Sequence, residues 1–370
     1  MRSVLIFSLC FAQIFSSCTP AAESPLQSAL VIYRFAPPAF LEYSEDFQLT
    51  KEIPFTLPPN CGLFNTFPAP IGQFLLIELS CPSGQTILFL DLETGSTTQP
   101  VTVSDSHFLA WTSDGEAAYL KVDSLGSPQI IRAYTEGAHD VLAIPEFTYD
   151  LSARPDSRDF IFTLSRGLGY GSELYLSDAD GENTQLLYAD QFNYISFARF
   201  SPDGKQIAYI KIPDTQIPFT VGELWVIPST GSGQSPSTTD FANDAPSSAQ
   251  GGRFLANADA GHGYAANWSP DGKKIAFVKR ENPEDENANQ TSEALLSNIY
   301  VIDVESSVLT QVTNFTEGHA ETPYWSPDGN TLTFNVVING RMTVSIADVE
   351  SGEIRSLVTE SACCPAWMRK

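Results

Sequence analysis

Apolar and polar positions in this chain follow short, strand-like runs, with little sign of a helical period. QIAYIK (206–211), KIAFVK (274–279) and TLTFNV (331–336) carry apolar residues on both alternating faces, as expected for strands covered on both sides by neighbouring sheets. A second set of runs, TILFLDLETG (86–95), ELYLSDADG (173–181), NIYVIDVESS (298–307) and TVSIADVESG (343–352), each ends in an acidic turn containing Gly or Ser. The first set sits in a repeat: FSPDGKQIAYIK (200–211), WSPDGKKIAFVK (268–279) and WSPDGNTLTFNV (325–336), with weaker copies WTSDGEAAYLKV (111–122) and ARPDSRDFIFTL (153–164). The shared aspartates are Asp114, Asp156, Asp203, Asp271 and Asp328, at intervals of 42, 47, 68 and 57 residues. The two long intervals contain polar inserts at 229–250 and 281–297; without them the period stays within about 40–47 residues.

In Ser-Pro-Asp-Gly, Pro presets the backbone angle of a tight turn, Asp favours the next position and Gly accepts the left-handed conformation that returns the chain. The period and the turn chemistry together predict an all-β chain of four-stranded blades, a β-propeller. Six internal modules start near Gly62, Ser106, Phe147, Tyr194, His262 and His319. After the last of them CPAW (364–367) echoes TPYW (322–325), so the C-terminus begins another blade and stops. ALVIYRF, AFLEYSEDF and QLTKEIPF, within 29–57, supply strands to complete it, because an open ring would leave apolar sheet faces in water. Seven blades closed by both termini is the favoured count, with six as the runner-up.

Composition narrows the partners. Of 370 residues, 44 are acidic and 20 basic, a net charge of −24 that repels phosphate backbones and excludes nucleic acid as a partner. Residues 1–17, MRSVLIFSLCFAQIFSS, have the shape of a secretory signal. FSSC, ending at Cys18, resembles the lipobox of bacterial lipoproteins, which implies lipid attachment at Cys18 followed by a tether over 18–28. Cleavage near Ala21 or Ala22 is the competing expectation. Residues 29–370 form one propeller domain, extracytoplasmic and held at a membrane only by its anchor, in the periplasm or at the cell surface, as a monomer. Of the six cysteines, Cys61, Cys81, Cys363 and Cys364 remain in the mature body, an even number that suits an oxidising compartment. Cys61 and Cys81 fall at one end of one blade and could pair. Cys363 and Cys364 could form a vicinal bridge or stay free, and an alternative pairing would staple the closing blade to the first. CxxC spacing is lacking, so no structural metal is expected.

The SPDG copies, preceded by an aromatic and followed by a strand, resemble the repeat of TolB-like, WD40-like β-propellers, most closely over 313–330. The resemblance covers about four-fifths of the chain and is specific for fold rather than activity. It implies neither a Tol-system role, since TolB has an α/β domain ahead of its propeller and nothing here supplies one, nor peptidase activity, since no GxSxG occurs.

His262 and His319 each lie six residues before a motif Trp, at equivalent places on adjacent blades near a channel mouth, where they could bind or polarise a ligand. Tyr264 and Tyr324 are further candidate ligand-binding residues, while Trp111, Trp268 and Trp325 suit core packing. His107 and His139 share no register and receive no role. Asp203, Asp271 and Asp328 read as turn residues, SRGLGYGSE (165–173) as a mobile surface loop, and EDE (284–286) as part of a solvated insert. No catalytic residue, cofactor or metal is assigned. The expected function is non-catalytic binding or scaffolding of a protein, peptide or cell-envelope glycan; the alternative is a lyase or lactonase acting on a carbohydrate or lactone in the channel.

Overall fold

A computed structural model describes residues 28–101, 105–124, 127–230, 252–259, 262–358 and 360–369. The expected signal, Cys18, the tether up to residue 27 and nearly all of the 229–250 insert lie outside them. Among the described residues the regular structure is β apart from two short 3-10 turns, Glu286–Asn289 and Ser292–Ala294, and no helix is long and apolar enough to cross a membrane.

The strands form antiparallel sheets of four in sequence order: 62–98, 106–141, 148–190 and 193–259. The nine-stranded sheet over 267–358 consists of a group of four and a group of five, the latter with the two short strands His319–Ala320 and Tyr324–Trp325 sharing one position beside Thr331–Ile338, joined by one parallel bridge between Ser297 and His319. In the remaining sheet the C-terminal strand Ala362–Arg369 pairs antiparallel with Ser28–Phe35, followed by Pro38–Tyr43 and Leu49–Pro54.

Successive side chains on a strand point to opposite faces, so each sheet packs on both sides. Val31 and Tyr33 meet Leu75 and Ile77; Leu76 and Phe89 meet Ala118 and Leu120; Tyr119 and Ile130 meet Phe160 and Phe162. Ile161 and Leu174 meet Ile195 and Ile207; Ile210 and Leu224 meet Ile275 and Phe277; Val278 and Ile299 meet Leu332 and Phe334. Val344 and Val358 meet Leu30 and Leu41. Burial of each such Val, Leu, Ile or Phe side chain contributes about 1.5–3 kcal/mol, which makes these contacts the main cohesive force between sheets. The motif tryptophans add a directional bond. Trp111 Nε1 donates to the Phe67 carbonyl at 3.0 Å, Trp268 to Arg199 at 3.2 Å and Trp325 to Asn267 at 3.0 Å, each reaching the leading strand of the preceding group.

The SPDG turns share one geometry. In 201–206 the Ser201 hydroxyl donates to Asp203 at 2.7 Å, and the same carboxylate oxygen accepts the Lys205 N–H at 3.1 Å. Gly204, at φ +67°, donates to the Ser201 carbonyl. Residues 269–274 and 326–331 repeat the pattern, and 112–117 does so with Thr112 in place of Ser. At Gly115, φ +73°, a Cβ would sit 2.4 Å from the Ile71 carbonyl oxygen of the previous sheet, so only glycine fits. The 281–297 insert departs from a solvated loop. Asn282 donates to the Ala294 carbonyl and accepts from Leu296 N, Asp285 caps the first 3-10 turn, and Ala288 and Leu295 are buried.

The carboxylates of these turns lie below their ordinary range. The Ser201 hydroxyl, then the Lys205 N–H and ammonium, hold Asp203 down to about 2, and the Ser269 hydroxyl likewise lowers Asp271 against a weaker opposing effect of burial. Each folded value lies below the unfolded one of about 3.9, so the stabilisation is present above that pH and is lost as pH falls through the folded value. The thermal midpoint is therefore expected to decline between about pH 4 and pH 2, less steeply for Asp203→Asn than for the parent chain. Parallel pH profiles for the two proteins would show that this turn is not the titrating element.

Candidate functional site

The leading strand of every four-stranded group contributes to one cavity of about 1020 Å³. Asn65 and Phe67, Phe108, Asp150, Arg199, Asn267, Tyr324 and Arg369 all face it, each from a different leading strand except the first two. In the segment ahead of Trp268, Gly263 and Ala265 line the cavity while Tyr264, between them, packs in the core. Bulges in the leading strands, between Leu63 and Asn65, Phe108 and Ala110, Thr148 and Asp150, and Ser196 and Arg199, re-aim side chains toward the space. Within the last bulge Phe197 adopts φ +54°, an uncommon conformation for a bulky residue, and lines the cavity itself.

The polar centre of the cavity is an ion pair. Arg199 Nη1 donates to Asp150 Oδ1 at 2.8 Å, and the other carboxylate oxygen accepts the Ala198 N–H at 3.0 Å. Asp150 is thus tied to the next leading strand by side chain and backbone. Arg199 keeps 31% of its side chain exposed, leaving donors to spare for a ligand. Burial pushes the Tyr324 hydroxyl up to about 12, with Arg199 opposing and Glu321 adding to the shift, so it stays a neutral donor at physiological pH. Burial also raises Tyr149, whose hydroxyl donates to the Ile195 carbonyl at 2.7 Å. Phe67 and Phe108 stack at 4.1 Å and supply an apolar wall.

The other sequence candidates lie elsewhere. His262 is buried behind the cavity, Nδ1 3.0 Å from Asp259 and its ring stacked on Phe219 at 4.3 Å. Asp259 also binds Arg280 at 2.7 Å, and Arg280 reaches Asn289 of the insert at 2.7 Å. His319 sits 3.4 Å from Glu321. The Tyr264 ring, near-parallel to both imidazoles at 6.0 and 6.4 Å, lies in the packing between the two groups. The histidines hold loops and sheets together, and among the described residues no cluster of three His, Cys, Asp or Glu could hold a metal ion. Of the four candidates, Tyr324 alone faces the cavity.

Cys61 is bonded to Cys81 and Cys363 to Cys364. The glycine-rich loop of 165–173 is not a loose flap: Gly169 and Gly171 N–H groups donate to Asp214 Oδ2 of the neighbouring sheet at 2.7 and 2.9 Å. Sequence reasoning missed the Asp150–Arg199 pair. Its signal was there, since both are charged residues inside otherwise uncharged leading strands.

His262→Ala is expected to destabilise the protein by about 2 kcal/mol, because it deletes a buried stack and leaves Asp259 with one partner fewer. Urea unfolding checks this, and an unchanged midpoint would rule out the structural role.

No protein-family model matches the chain, and no curated protein sequence does. Solved structures do resemble it. An oligogalacturonate lyase in complex with manganese aligns over 88% of this chain and 92% of its own, with 13% identity and a TM-score of 0.57. The tricorn protease aligns over 94% of this chain but only 36% of its own length, with 14% identity and a TM-score of 0.58. The likeness to TolB from Acinetobacter baumannii is looser, 17% identity over 92% of this chain and 82% of that one at a TM-score of 0.48, and adds nothing to the fold shown by the other two. At these identities the likeness concerns fold alone. Oligogalacturonate lyase and TolB are β-propeller proteins, and the four-stranded antiparallel sheets of this chain resemble propeller blades.

Proposed function

We propose that this chain is an exported, lipid-anchored propeller of seven blades, closed by strands from both termini, that binds a peptide or glycan segment in its channel without transforming it. The observation that carries the reading is the cavity: one space lined by every leading strand, with an apolar wall, a half-exposed guanidinium and a neutral phenol. Such a set suits a ligand offering carbonyl or hydroxyl acceptors along an apolar face. The seven-blade count is supported by the succession of buried contacts, in which each four-stranded group packs on the next and the last packs on the first. Export is supported by the two disulfides, which persist in oxidising compartments. Cys18 carries the anchor in this reading.

Titration calorimetry of the mature protein against cell-envelope glycan fragments and against peptides tests the proposal. Binding is expected for one class and is expected to weaken about tenfold or more in Arg199→Ala, the loss of one charge-assisted hydrogen bond. Equal affinity in parent and variant would contradict the channel site, and release of a product would replace binding by the lyase or lactonase alternative. The intact mass of membrane-extracted protein reports the anchor: a diacylated Cys18 start is expected, and an unmodified start at Ala21 or Ala22 would remove it.

A further inference from the structure

The SPDG turns define one end of the sheets. At the opposite end of the 148–190 and 193–259 sheets, five large apolar side chains stand in water: Phe147 (64% exposed), Leu168 (58%), Tyr170 (68%), Phe192 (76%) and Ile217 (46%). They come from separate loops that are bonded to one another. Ser165 N–H donates to the Phe147 carbonyl, the 166–171 loop is closed by Arg166 N–H to the Gly171 carbonyl, and Asp214 N–H donates to the Phe192 carbonyl at 2.9 Å. The Asp214 carboxylate spans the two sheets by gripping Gly169 and Gly171. Gly171 admits no side chain, since a Cβ would lie 2.0 Å from the Asp190 carbonyl oxygen. The fold thus commits a carboxylate and a run of left-handed glycines to presenting Leu168 and Tyr170 to solvent, an arrangement that the core does not require.

We propose that this end of the two sheets is a docking surface for a partner protein that inserts apolar side chains flanked by lysine or arginine. Charge selects that occupant. The same end carries Glu146, Glu173, Asp190, Asp214 and Glu223 against Arg166 and Lys211, with Lys121 of the preceding sheet reaching in to donate to the Thr148 carbonyl at 3.2 Å. Arg166 lies 3.7 Å from Glu173, and Lys211 lies 3.2 Å from Asp190 and 4.0 Å from Glu223, so neither cation is left to offset Glu146 and Asp214. A second copy of the chain would set the same carboxylates face to face, and an anionic bilayer would be repelled by them; a basic apolar segment meets complementary charge and removes exposed apolar area from water. The surface lies apart from the channel: none of the five apolar residues lines the cavity.

The test uses a displayed library of random peptides selected on the full mature protein and, in parallel, on Leu168→Ser/Tyr170→Ser/Phe192→Ser, whose exposed positions leave folding intact by thermal melt. Selection on the parent should enrich peptides with aromatic or aliphatic residues beside Lys or Arg. A synthetic copy of the winner should bind the parent at least tenfold tighter than the triple variant, and more weakly as salt rises. Gly171→Ala, which disturbs the presenting loop without touching the apolar side chains, should weaken binding in the same direction. Absence of any patch-dependent peptide, or a winner indifferent to the substitutions, would overturn the proposal. So would patch-dependent sedimentation as a dimer, or patch-dependent flotation with phosphatidylcholine–phosphatidylserine vesicles, each of which assigns the surface to a different occupant.

Discussion

The pairing of the last strand with the first is the constraint on which everything else depends. Ala362–Arg369 runs antiparallel to Ser28–Phe35 from Ser28↔Arg369 to Arg34↔Ala362, and neighbours on both sides hold it in place. The Cys364 N–H donates to Asn335 of the nine-stranded sheet, while Gly72 N–H and the Thr66 hydroxyl of the 62–98 sheet donate to the Arg369 and Cys364 carbonyls. Without that strand, Val31, Tyr33, Val344 and Val358 would each lose packing that they share with it or with the strand it pairs. An unpaired edge and two uncovered faces would follow, a combination that soluble sheets avoid. The leading strand Ala362–Arg369, held by this pairing, lines the same cavity as the others.

Within that frame the two ends of the sheets divide the labour. At one end the same bonds recur turn after turn: hydroxyl to carboxylate, carboxylate to N–H, glycine in the left-handed region, tryptophan to the preceding leading strand. Repetition there leaves little room for specificity. At the other end every connection differs. Phe219 covers His262, Asn289 reaches Arg280, and Asp214 holds two glycines. Loops freed from the repeat are where binding surfaces can diverge on a fixed scaffold, and in this chain charged side chains such as Arg280 and Asp214 tie them down alongside apolar packing by Phe219, Ala288 and Leu295.

The all-β architecture was legible because its signal is local and repeated. Ser, Asp and Gly at fixed offsets dictate a turn whatever surrounds it, and two-sided apolar runs dictate a sandwiched strand. The site was less legible. His262 and His319 could be placed in register from their distance to Trp268 and Trp325, yet their partners Asp259 and Glu321 give no sign in sequence of whether they receive a ligand or a loop. Tyr324 and Tyr264 look alike in the chain, yet Tyr324 lies in the short strand Tyr324–Trp325 beside the cavity, whereas Tyr264 lies in the irregular segment ahead of Asn267 and packs in the core. The Asp150–Arg199 pair is 49 residues apart and becomes a pair only when two leading strands lie side by side. The loop of 165–173 read as mobile for a related reason: its anchor, Asp214, belongs to the next sheet.

Thermal unfolding of a chain ending at residue 361 tests the account most directly. Loss of the closing strand is expected to lower the midpoint by about 10 °C or more, since several buried side chains and a full set of pairing bonds disappear together. A midpoint equal to that of the full chain would contradict closure, and with it the channel.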